Sequence, residues 1–307
     1  MNPEKESLRS KKRGNALGFW FFRTLLKVFG LSGAYALLYV VCLYYLIFDR
    51  TAVAASMAYI QRRFRQFSGI RKLYRVYQLF ISQGKSLIDR YYVVSGLGQF
   101  DTELRGYDRI KSLLNDSEKG IILLTAHVGN WQVAMTALHK LGKTVYLLMS
   151  HEENAAVRES LNVGNANDRV KIISPDNYLG GVIEIMKAID EGSIVSIMGD
   201  RSYGHSTAEV NLMGEKAHFP LSSFTIAAAV RCPVVVLLSA KVSTRKYVVD
   251  VSHIIEPRYS SRARKKEDIK GFVQEYAGVL EAYSAEYPLQ WFIFHDLWRG
   301  DSNISAN

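Results

Sequence analysis

The chain has 307 residues, enough for one large domain with appendages or for two small ones. Hydrophobic residues make up 48% and charged residues 22%, a balance that excludes a disordered chain. The formal charge of +10 is concentrated: residues 1–27 hold Lys5, Arg9, Lys11, Lys12, Arg13, Arg23 and Lys27 against Glu4 and Glu6, residues 50–75 hold seven Lys or Arg and no acid, and the rest is slightly acidic. Basic stretches flanking an apolar run point to an anionic membrane surface, not to nucleic acid, with a solvated charged face as the plain alternative.

In chain order, residues 1–27 read as a basic, amphipathic N-terminus. Residues 28–48 contain no charge and as a helix would extend about 31 Å, close to the hydrocarbon thickness of a bilayer. Tyr44 and Tyr45 near one end, with Phe19, Trp20, Phe21 and Phe22 before the other, suit the two interfaces. Ala52-Val53-Ala54 resembles a signal-peptide cleavage site, but the apolar run is too long for one and a basic segment follows. A buried core helix is the other alternative, because Gly30, Ser32 and Gly33 weaken the spanning signal. Both flanks are basic, so orientation is not readable. Residues 49–105 read as basic and aromatic interfacial helices, with 56–92 helical and either lying on headgroups or packed on the body.

From 106 to 300 the pattern is that of a catalytic domain. Strands are expected at 121–124, 144–149, 170–173, 194–198, 234–238 and 247–251, and helices at 129–141, 152–161, 180–190, 222–230 and 268–287. The alternation predicts an α/β fold, a mixed, largely parallel central sheet flanked by helices. In such sheets the chemistry sits at the carboxyl ends of strands, where His127 and Asp200 both fall. The polar tail 301–307 is expected to be disordered. Cys42 and Cys232 form neither a disulfide framework nor a metal site.

The segment Thr125-Ala126-His127-Val128-Gly129-Asn130-Trp131-Gln132 carries the chemistry. A neutral imidazole between a strand and a helix can take a proton from a hydroxyl or amine. Gly129 allows a tight turn and close approach of a substrate, and N–H groups at the helix start can stabilise an oxyanion or bind phosphate. The plain alternative is a structural, hydrogen-bonding histidine. Asp200-Arg201 is polar at an active-site edge, or else a surface turn. Arg158 is a phosphate-binding candidate or part of a wet helix face; Trp131 and Phe219 line an acyl groove or belong to the core. His139, His151, His205, His218, His253 and His295 show no metal-ligand spacing. No Gly-x-Ser-x-Gly elbow, Walker or dinucleotide-binding glycine pattern occurs, so neither a metal nor a cofactor is expected.

The Leu-Thr-Ala-His-Val-Gly-Asn-Trp context resembles the His-x-x-x-x-Asp/Glu motif of the lysophospholipid-acyltransferase-like superfamily, and most closely its bacterial lipid A (lauroyl- and myristoyl-) acyltransferase branch. The N-terminal apolar helix, Leu212 to Pro220, Ala227 to Val236 and Tyr287 to Phe292 near Trp298 are similar in the same order. The resemblance implies a glycerolipid-acyltransferase-like fold and an acyl thioester donor, acyl carrier protein. It also implies a membrane lipid or glycolipid acceptor, and a location at the bacterial inner membrane with the domain on the cytoplasmic side. It makes His127 the general base. The candidate substrate contacts read from the residues themselves are Gly129, Asn130, Trp131, Arg158, Arg201 and Phe219. The family carboxylate that orients the histidine falls at position 132, and here that residue is Gln132. An amide can hold the ring but cannot stabilise an imidazolium by charge. Three readings stay open. Another carboxylate reaches the site, with Asp200 ahead of Glu152 and Glu153; or the acceptor is an amine; or the protein is a catalytically weak binder of acyl lipid or carrier protein.

Overall fold

The computed structural model describes residues 16–138, 141–149, 169–201 and 206–299. The helix expected at 152–161, with Glu152, Glu153 and Arg158, lies outside these residues, as does the tail.

Helix α1, Ala16–Phe48, is broken at Gly30, whose φ of 64° and ψ of −164° no helix accommodates. Leu26–Phe48 is long and apolar enough to cross a membrane. One stripe, Leu31, Ala34, Tyr35, Leu38 and Cys42, recurs at helical spacing and is buried. The other, Val40, Leu43, Tyr44, Ile47 and Phe48, is exposed and equally apolar. The helix thus has one face packed on protein and one that no described residue covers.

The helix expected over 56–92 is two helices, α2 (Arg50–Arg63) and α3 (Gly69–Val94). Asp49 caps α2 by accepting from the Ala52 N–H at 2.9 Å. At the break the Phe64 and Phe67 rings stack at 5.5 Å, and the Arg75 guanidinium lies 5.1 Å from each ring centre. Several of these arginines face the body: Arg62 pairs with Glu215 at 2.9 Å and covers the Trp298 ring, and Arg63 donates to the Ser284 carbonyl.

The body is built on one sheet of β1 (Asp101–Arg105), β2 (Ile121–Thr125), β3 (Val145–Leu148), β4 (Val170–Ile173), β5 (Ile194–Met198), β8 (Val234–Lys241), β9 (Lys246–Asp250) and the short β10 (Ile254–Ile255). Its order is β1-β9-β8-β2-β5-β3-β4, with β10 on β8. The pairs from β8 through β4 are parallel; β9 and β10 run antiparallel to β8. This is the mixed, largely parallel α/β sheet expected. The sheet starts at Asp101, ahead of the expected domain start at 106. Alternate residues of β2 feed the two faces. Ile121 and Leu123 pack with α4 (Tyr107–Asp116) and α5 (Trp131–Leu138). Ile122 and Leu124 pack with α6 (Val182–Asp190), α7 (Ser222–Val230) and α8 (Lys265–Glu286). A separate hairpin is formed by β6 (Thr207–Leu212) and β7 (Glu215–Pro220), where no strand was expected. It turns at Met213 and Gly214, both at positive φ, as a two-residue hairpin turn requires.

Asp89 of α3 ties α1 to this sheet. Fully buried, it accepts from the Tyr35 hydroxyl of α1, the Tyr247 hydroxyl of β9 and, at 2.6 Å, the Lys241 ammonium at the end of β8.

Candidate active site

Strand β2 is buried throughout and ends at Thr125, whose carbonyl accepts from the Gly199 N–H at 2.8 Å and the Tyr276 hydroxyl at 2.9 Å. Adjacent β5 ends at Met198, in register with Thr125. Two residues past each strand end stand His127 and Asp200. Gly199 is tightly enclosed: a Cβ there would lie 2.7 Å from the Leu124 side chain and 2.9 Å from the Tyr276 hydroxyl, so a larger residue would have to displace them.

The His127 ring Nδ1 is 2.8 Å from Asp200 Oδ1. The same carboxylate accepts the His127 backbone N–H at 2.8 Å and the Trp291 indole N–H at 3.0 Å, both on Oδ2. Asp200 is fully buried, whereas the His127 side chain keeps 23% exposure. Burial alone would raise the Asp200 carboxyl, but the His127 ring, the indole donor and the His127 backbone N–H outweigh it and hold the carboxyl well below the usual carboxylate range. An ionised Asp200 accepts only, so Nδ1 carries the ring proton and Nε2 of the neutral imidazole is left as a lone-pair base.

The remaining sequence candidates divide. The turn at Gly129 has a φ of 61°, as its glycine promised, but the side where a Cβ would project holds the Ser239 carbonyl at 2.0 Å, so protein and not substrate makes the close approach. Asn130 is buried and caps α5: its Oδ1 accepts from the Val133 N–H at 3.3 Å and its Nδ2 donates to the Ser86 carbonyl at 2.9 Å. The amides expected to hold an oxyanion are largely committed, that of Gly129 to the Gln290 carbonyl and that of Asn130 to the Ser239 hydroxyl. Phe219 is fully buried, edge-on to Tyr276, in the core and not in a groove. Trp131 is half-buried against the α4 side of the sheet. Gln132 is buried and partnered, but the ring nitrogen assigned to position 132 is held by Asp200. Arg158 lies outside the described residues.

Arg201 follows Asp200, and its Nε is buried without a hydrogen-bond partner among the described residues. His295 was not singled out by sequence, yet its Nε2 is likewise buried and unpartnered. Burial first, and the Arg201 charge second, push its imidazole below the ordinary histidine value. Trp291 was also missed as a site residue. Its segment clamps the motif: Val128 and Trp291 form an antiparallel bridge, and the Phe292 N–H donates to the His127 carbonyl at 2.7 Å. The aromatic run at 287–292 was visible, but nothing local says that its indole points at an aspartate. Among the described residues, no cluster of three His, Cys, Asp or Glu could hold a metal.

The family model for bacterial lipid A biosynthesis acyltransferases matches residues 98–300, from just before β1 to just beyond Trp298. No curated protein matches the chain. The match spans well over half of the sequence and contains the whole sheet and the His127–Asp200 pair, so the chain belongs to the bacterial lipid A biosynthesis acyltransferase family.

Proposed function

We propose that the protein moves a fatty acyl group from the thioester of acyl carrier protein to a hydroxyl of a membrane lipid or glycolipid, with His127 as general base and Asp200 as the carboxylate that orients and stabilises it. The 2.8 Å contact between Nδ1 and Oδ1 carries this reading. In the reaction, Nε2 of His127 takes the acceptor's hydroxyl proton as its oxygen attacks the thioester carbonyl carbon. Asp200 stabilises the imidazolium that results. The tetrahedral intermediate then collapses, the C–S bond breaks, and the leaving thiolate takes the proton from Nε2, giving an ester and a free thiol. With the Gly129 and Asn130 amides committed, the Arg201 guanidinium, which follows Asp200 directly and has an unpartnered buried Nε, is the candidate to face the developing negative charge.

The weak-binder and amine-acceptor readings both drew their support from Gln132. A carboxylate at Nδ1 removes that support, because the histidine has its charged partner from β5. The α1 span, the family and a cytosolic thioester donor together favour the inner membrane with the domain on the cytoplasmic side.

The test is His127→Ala in the full chain. Lipid mass spectrometry of cells with and without the gene identifies the acylated product. That product should vanish with the variant while its melting temperature is kept. Undiminished product from His127→Ala would remove the base from the mechanism.

A further inference from the structure

We infer that the turn after β4 and the outer face of α6 form a second membrane contact, a lipid-inserting patch of Tyr178, Leu179, Ile183 and Met186 on the far side of His127 from α1. These side chains are 77%, 62%, 53% and 36% exposed. Ile183 and Met186 are three residues apart on α6 and share one helical face, and Tyr178 and Leu179 lie in the turn that leads into it. The backbone forms this turn at a cost. Leu179 sits at φ 54°, ψ 32°, a left-handed conformation that a leucine rarely adopts, and Gly180 and Gly181 continue at positive φ. Among the described residues, nothing covers Leu179, which stays 62% exposed.

Topology says what covers the patch. Strands β4, β3, β5 and β2 are parallel, so the turn after β4 emerges at the same sheet edge as His127 and Asp200. Helix α1 is fixed to that edge as well, through Tyr35, Asp89 and Lys241 at the end of β8. β8 and β4 are four strand positions apart, roughly 20 Å at the usual spacing between strands. Two exposed apolar surfaces therefore flank the site on one edge, and on this inference a single bilayer takes both. Lys171 and Lys187 balance Asp176 and Glu184 around the patch, so it offers apolar area and not charge. That suits a lipid surface with a tyrosine at the interface and does not suit an acidic carrier protein. The consequence is an orientation: the His127 edge faces the headgroups, where an acceptor lipid is reached without leaving the membrane.

The experiment uses the full chain reconstituted in phosphatidylethanolamine–phosphatidylglycerol vesicles, with an environment-sensitive fluorophore on Leu179→Cys. Both native cysteines are buried, so labelling is selective. A control label on Glu118→Cys reports the opposite sheet edge, just before β2. Expected is a blue shift and a several-fold intensity rise at position 179 on reconstitution, with quenching by doxyl-labelled lipid and no change at position 118. A label at 179 that stays water-exposed and unquenched in vesicles overturns the inference. So does a shift that appears with protein concentration in detergent, which marks a second copy, or only on adding acyl carrier protein, which marks donor docking. The readout needs no acyl transfer, so it stands or fails apart from the proposed reaction.

Discussion

The ring of His127 and the carboxylate of Asp200 are 73 positions apart in the chain and 2.8 Å apart in space. Sheet register produces the pairing. Thr125 and Met198 are partners at the ends of adjacent parallel strands, and the two residues of interest each stand two positions further on. A motif search confined to the residues after the histidine would miss this carboxylate, because its closeness is set by the sheet.

Trp291 holds Asp200 from the side away from the ring. Trp291→Phe removes the indole donor, leaving one carboxylate bond unmade at a cost of about 1–2 kcal/mol, and also leaves a cavity where the larger ring is fully buried. Steady-state kinetics on the folded variant should show kcat reduced roughly tenfold, with a fall in melting temperature that reports both losses. An unchanged kcat would mean that the backbone N–H and ring contacts suffice to place the carboxylate.

The depressed Asp200 carboxyl makes a signed statement about acid. Its folded value lies below the unfolded value of about 3.9, so over the interval between them the unfolded chain binds more protons and stability rises with pH. The contribution is fully present above about pH 4 and is lost as pH falls through the folded value. Denaturant unfolding at stepped pH should show stability falling below about pH 4, and the fall should be shallower in Asp200→Asn. Identical acid slopes in the two proteins would contradict the assignment.

Gly129 combines a left-handed backbone with a filled Cβ position. Gly129→Ala should destabilise by about 2–5 kcal/mol, from left-handed strain together with overpacking against the Ser239 carbonyl. Chemical denaturation measures it; a loss under about 1 kcal/mol would show that the turn relaxes freely.

The sequence was most informative where patterning is local. Buried apolar runs located β2, β4 and β5, and helical spacing with Pro233 located α7 and β8. It was silent on β1, whose Asp-Thr-Glu-Leu-Arg has no strand pattern and is held by pairing with β9. It joined α2 to α3 because Phe64 and Phe67 look like a continued apolar face, whereas they fold together at the break. In the site, His127 and Asp200 were legible as residues following strand ends. Asn130 and Gly129 were legible as special but not as structural, since their partners Ser86, Ser239 and Gln290 come from distant elements. Trp291 and His295 were illegible for the same reason.

The central claim is that the carboxylate serving His127 is Asp200 and that position 132 no longer supplies it. The most direct measurement is kcat for Asp200→Asn, Gln132→Glu and the double variant, each confirmed as folded. Expected is a loss of about 10³–10⁴-fold for Asp200→Asn, by analogy with carboxylate-to-amide changes in histidine-based catalysis. No gain is expected for Gln132→Glu, and no rescue in the double variant. Activity within about tenfold of the parent for Asp200→Asn would show that His127 does not depend on the Asp200 carboxylate, and recovery when Gln132→Glu is added to it would return the carboxylate's role to position 132.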